Sequence, residues 1–190
     1  MEKIAARITE WLIAKKAVTV DEKEIYAYGV FHLMLNIIDT ISIMLLALLF
    51  HDVISTVIYI LCFCTLRRYA GGYHAKTVIT CYLLTLTSSF GMLVLLQQFE
   101  IPTAVQMALW IISGIFILLF APVQNENKIL DETEKKVFKK RTIIIWMIQV
   151  IAMALLYRLG FSNYFKAILI AHTYIVISLL VEKAKLAYKF

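Results

Sequence analysis

The chain has 190 residues, 62% of them apolar and 17% charged, with a formal charge of +6. Water-soluble domains average about 45–50% apolar and about 25% charged residues, so the composition excludes an ordinary soluble domain and makes the bilayer the solvent. The basic residues sit between apolar runs, where they act as topology signals, and this excludes nucleic acid as the partner of the positive charge.

The N-terminal stretch mixes charged and apolar residues and lacks a signal-peptide pattern, so the chain is expected to insert uncleaved. In it Ile4, Ile8, Trp11 and Leu12 recur at spacings of three and four, which predicts an amphipathic helix over 1–24 lying on the membrane surface. The first span is expected at about 25–50, with Asp39 its only formally charged residue. Asp39 reads as a structural partner for an intramembrane cation or as a group orienting a catalytic histidine, and Asn36 is comparable. His51 and Asp52 mark a short turn.

The second span, 53–66, covers only about 21 Å of a hydrocarbon core roughly 30 Å thick. The polar, glycine-broken stretch 67–77 after it must therefore enter the membrane, or the bilayer must thin. Four further spans follow at about 78–96, 104–121, 142–157 and 165–181. Lys and Arg number five in 1–24, three in 67–77, six in 122–141 and three in 182–190, leaving only Arg158 and Lys166 outside these segments. The positive-inside rule then places both termini in the cytoplasm of a cell-membrane protein. The expected fold is an all-α integral membrane protein with six transmembrane helices after an interfacial helix. It forms one domain over 1–190, with the bundle at 25–182 and a cytoplasmic loop at 122–141.

Chemistry concentrates between Arg67 and Cys81. Two arginines, a lysine, a histidine and adjacent glycines at membrane depth are costly and so point to function. Gly71 and Gly72 permit backbone conformations closed to other residues and let another chain approach, which suits a peptide cleft. Cysteine attacks as the thiolate, and an imidazole beside it can later protonate the leaving amine. His74 and Cys81 supply that pair. On one continuous helix they would stand about 10.5 Å apart along the axis, so the pair requires a non-helical stretch that folds back.

Several other residues have blander readings. Cys62 and Cys64 point apart on a helix and read as packing residues. Nothing in the cysteine spacing implies a disulfide or a structural metal, and His32 and His172 read as hydrogen-bonded histidines more readily than as haem or metal ligands. Trp11, Trp110 and Trp146 suit interface belts. Lys128, Lys135, Lys136, Lys139 and Lys140 suit either an acidic peptide tail or anionic lipid.

The run Arg67-Arg68-Tyr69-Ala70-Gly71-Gly72-Tyr73-His74-Ala75, followed by Cys81-Tyr82, resembles the signature of the AgrB family, the accessory gene regulator B membrane peptidases of Gram-positive quorum sensing. Chain length, the six-span pattern, Ala121-Pro122 and Asn127-Lys128 fit the same family. The resemblance implies that His74 and Cys81 are the catalytic pair, and that Arg67 and Gly72 contact substrate or shape the site. It implies cleavage of the C-terminal tail from an AgrD-type pro-peptide through an acyl-enzyme at Cys81, then closure of a thiolactone or lactone. It further implies a homodimer and no cofactor. The rival expectation from another class is a small transporter or channel in which 67–77 is a re-entrant selectivity element.

Overall fold

In the computed structural model, residues 1–73, 75, 77–124 and 130–188 are described. They form seven helices: α1 (Glu2–Ala14), α2 (Lys23–Leu49), α3 (Val53–Ala70), α4 (Val78–Gln98), α5 (Thr103–Phe120), α6 (Glu132–Arg158) and α7 (Ser162–Ala187). Among the described residues, α2 to α7 are each long and apolar enough to cross a membrane, which makes the chain a multi-pass membrane protein. No strand occurs among them; the one isolated bridge pairs Gly71 with Val123.

The chain divides into two compact units, Met1–Leu46 and Ala47–Phe190. In the first, α1 buries Ala5 and Thr9, whose hydroxyl donates to Ala5 O at 2.9 Å, while Ile4, Ile8 and Trp11 stay exposed. Lys23 Nζ pairs with Glu10 Oε1 at 3.0 Å across the link between α1 and α2. Asp39 lies on α2 and makes no ion pair with another described residue of this unit. The His32 ring lies 4.2 Å from the Tyr28 ring and 5.6 Å from the Phe31 ring, centroid to centroid.

In the second unit a side-chain cap starts three of the helices, α3, α4 and α6. Asp52 caps α3 by accepting from Ser55 N at 3.3 Å, Thr77 caps α4 by accepting from Thr80 N at 3.2 Å, and Asp131 with Glu134 forms a capping box at α6. Each such cap is worth about 1 kcal/mol. The second span is longer than its apolar run: α3 continues through Arg67, Arg68 and Tyr69 and covers about 27 Å. Hydropathy stops at the arginines, but cations are favourable in the last turn of a helix, and the chain leaves the helix only at Gly71. Likewise α6 begins at Glu132, so the second half of the 122–141 loop is helical and lengthens the fifth span.

The helix α7 lies at the centre of this unit and packs against α3, α4, α5 and α6. Over half of its span (56%) is buried, against 28% or less for every other span. Leu66 and Ala70 of α3, Ile117 of α5, and Ile175, Val176 and Leu179 of α7 form one apolar core, with Trp146 packed against it. Met153 of α6 and Phe165, Ile168 and Leu169 of α7 form another, with Cys62 and Trp110 at its margin. Two of the three tryptophans, Trp110 and Trp146, are thus partly buried against these cores.

A polar network ties three of these helices together. Gln149 Nε2 donates to Cys62 O at 3.0 Å and to Thr65 Oγ1 at 3.1 Å, and His172 Nε2 lies 2.8 Å from Gln149 Oε1. Because the amide oxygen can only accept, the proton of this last bond belongs to His172. His172 is therefore a buried structural donor, bonded to a side chain where a backbone carbonyl was expected. Hydrogen bonds between membrane helices average about 0.6 kcal/mol each, so the network serves more to fix register than to drive association.

Candidate active site

The described residues between α3 and α4 are non-helical, so no single helix carries the chain from Arg67 to Cys81. Two backbone facts shape this connection. Gly71 has φ +77°, and Val123 N donates to Ala70 O at 2.9 Å, so the strand-like segment after α3 lies directly against the segment after α5. A Cβ on Gly71 would stand 2.1 Å from Val123 O, closer than any side chain tolerates. Gly72, with φ +121°, is buried, and a Cβ there would stand 2.6 Å from Ser178 Oγ of α7. Both glycines therefore answer to close approach as well as to backbone conformation.

Arg67, in the last turn of α3, organises the cluster. One guanidinium nitrogen, Nη1, donates to Ser178 Oγ at 2.5 Å, and Nη2 donates to the Tyr73 carbonyl. Tyr73 N in turn donates to Ser178 O at 3.0 Å. Residue 73 is thus held at its N–H by the α7 backbone and at its C=O by the α3 side chain. The guanidinium also lies 5.5 Å from the Phe63 ring centroid, within range of a cation–π contact.

Cys81 stands in the first turn of α4, half-buried, with its amide donating to Thr77 O at 3.0 Å. It lies within electrostatic range of the Arg67 guanidinium, as do Cys64, Tyr59 and Glu182. The N-terminal end of a helix is the end at which negative charge is favoured. His74 and Lys128, the other residues singled out by sequence, lie outside the described residues. The cluster also contains two residues that sequence reading did not single out, Ser178 and Glu182 of α7. They stand more than a hundred positions from Arg67, and nothing in their local sequence marks them.

Four of the lysines expected to bind an acidic tail or lipid, Lys135, Lys136, Lys139 and Lys140, line an open groove of about 540 Å³ with Pro122, Ile143 and Ile144. Two of them have intramolecular work. Lys139 Nζ donates to Ala121 O at 2.8 Å and to Leu118 O, which satisfies carbonyls at the end of α5, and Lys135 pairs with Glu132 at 2.7 Å. Among the described residues no group of His, Cys, Asp and Glu has the arrangement of a metal site.

The family model for accessory gene regulator B matches residues 3–179. The chain belongs to that family. A putative AgrB-like protein of Clostridium perfringens strain SM101 is 29% identical over 174 residues, which cover 85% of this chain and 81% of the relative. The accessory gene regulator protein B of Staphylococcus carnosus is 32% identical over 110 residues, 57% of this chain and 56% of the relative. That of Staphylococcus intermedius is 28% identical over 103 residues, 54% and 55% of the two chains. No solved structure matches the chain. Family membership connects the chain with accessory gene regulation, and Glu182 and Lys185 fall beyond the matched residues.

Proposed function

We propose that the protein is a membrane cysteine endopeptidase that removes the C-terminal tail of an AgrD-type quorum-sensing pro-peptide and promotes closure of a thiolactone or lactone. The observation that supports this most is the position of Cys81: a first-turn thiol of α4 that interacts electrostatically with the Arg67 guanidinium, which itself holds the glycine-built backbone segment after α3. In the reaction the Cys81 sulfur attacks the carbonyl at the tail junction, the C–N bond breaks, and the tail leaves as an amine protonated by His74. A substrate cysteine or serine then attacks the acyl-enzyme and releases Cys81.

Exchange of one thioester for another is nearly even in bonding terms, whereas hydrolysis is strongly downhill, so water must be kept from the acyl-enzyme. A site built into a bundle of membrane-spanning helices suits that need. The proposed orientation places both termini and the 122–141 segment in the cytoplasm, where the pro-peptide is made. Association as a homodimer is part of the same proposal.

The test is cleavage of a tail-tagged AgrD-type pro-peptide co-expressed with the protein. Cys81→Ala is expected to lower tail release by about 1000-fold or below detection, as removal of a covalent nucleophile does. Tail release at the wild-type rate by that variant, with the protein present in the membrane, would remove the peptidase reading.

A further inference from the structure

Glu182 of α7 is fully buried, and neither of its carboxylate oxygens has a hydrogen-bond partner. An isolated carboxylate in that condition is strongly disfavoured, and it persists when cations face it. Two do. Lys185 Nζ stands 3.6 Å from Glu182 Oε1, and the Arg67 guanidinium lies within electrostatic range. Ser178, one turn earlier on the same face of α7, takes the hydrogen bond of Arg67 Nη1 and supplies the carbonyl that holds Tyr73 N. Lys185 Nζ also lies 5.8 Å from the Tyr73 ring centroid. One face of α7 therefore meets the catalytic connection at three levels: a hydroxyl on the guanidinium, a carbonyl on the Tyr73 amide, and a buried negative charge behind both.

We infer that Ser178 and Glu182 are positioning residues that act through Arg67, fixing the guanidinium so that it holds the Gly71–Tyr73 backbone at the register the Cys81 site needs. The inference rests on the peptidase reading for its purpose and on the cluster geometry for its content. Arg67 reaches the Tyr73 carbonyl from a helix that ends three residues before Tyr73, so without an anchor its long side chain has many rotamers. Ser178 removes that freedom by direct hydrogen bonding. Glu182, one turn further along the same buried face of α7, adds a negative charge whose interaction with the guanidinium is favourable.

The measurement that reads positioning directly, and needs no substrate, is amide hydrogen exchange of the full chain in detergent. In Ser178→Ala and in Glu182→Gln, the peptide containing Gly71–Tyr73 is expected to exchange at least tenfold faster, with the α5 peptide 103–120 unchanged. Glu182→Asp, which keeps the charge, recovers protection to within threefold of wild type. In the Arg67→Lys background, Ser178→Ala adds less than twofold, because a residue that acts through Arg67 has little left to affect.

Unchanged exchange of Gly71–Tyr73 in both single variants overturns the inference. So does faster exchange that extends equally to α5, which marks general loosening, and so does full additivity with Arg67→Lys. If Glu182→Gln does not accumulate, Ser178→Ala alone decides by the same readouts. The Cys81→Ala cleavage test is separate: tail release retained there removes the peptidase reading, while unchanged exchange with tail release lost removes only the positioning role.

Discussion

At the scale of single residues, the geometry around Gly71 is the most sharply determined part of the site. Alanine there must take φ near +77°, at a cost of about 1–3 kcal/mol, and must also push Val123 O away from a Cβ only 2.1 Å distant. Gly71→Ala is expected to reduce the membrane-inserted level severalfold and to abolish tail release from what remains. Gly29→Ala, where nothing lies within 4 Å of the new methyl, is the matched control and leaves both at wild-type values; immunoblotting of membranes alongside the cleavage assay reads the difference. The glycine pair, Arg67 and Cys81 were legible in the sequence because their residue types are costly or special in a membrane. Ser178 and Glu182 were not: a serine in a span and an acid near a span end have ordinary readings, and only folding shows that the acid is buried and beside a guanidinium.

At the scale of helices, apolar length decided most of what could be read. The six spans follow from apolar runs, and their order is that of the sequence. Two boundaries moved, the end of α3 and the start of α6, because hydropathy prices charged residues as loop, whereas a helix end accepts cations in its last turn and acids in its first. Packing between helices left fainter marks. Gly114 is an example: a Cβ there would meet Trp146 Cζ2 at 2.7 Å, so the indole of α6 lies directly on the backbone of α5. Gly114→Val is expected to destabilise the bundle by about 1–3 kcal/mol through overpacking, seen as a lower melting temperature in detergent. Adding Trp146→Phe should return part of that loss, since a smaller ring removes the atoms in conflict.

At the scale of the whole molecule, orientation remains the reading with the largest consequence, because a peptidase for an internally made pro-peptide must open its site to the cytoplasm. The distribution of Lys and Arg carries it. A cysteine placed at Lys135 is expected to resist a membrane-impermeant maleimide in intact cells and to label fully after permeabilisation; labelling in intact cells would invert the topology. Sequence reading could count the spans but could not say which of them is central, since mean hydropathy does not single α7 out: it is higher there than in α3 (1.4) and α6 (1.5). Its mean hydropathy of 1.8 lies below the 1.9 of α2 and α4 and the 2.1 of α5.

That central place has an outcome for biogenesis. A polytopic chain enters the lipid from its N-terminal side, so α3 to α6 must wait, with Arg67 and the Gly71–Tyr73 segment lacking their anchor, until the sixth span arrives between them. A nascent chain paused before that moment carries the Cys81 thiol without the scaffold that would aim it. Completion of the Arg67 cluster is therefore withheld until the bundle closes.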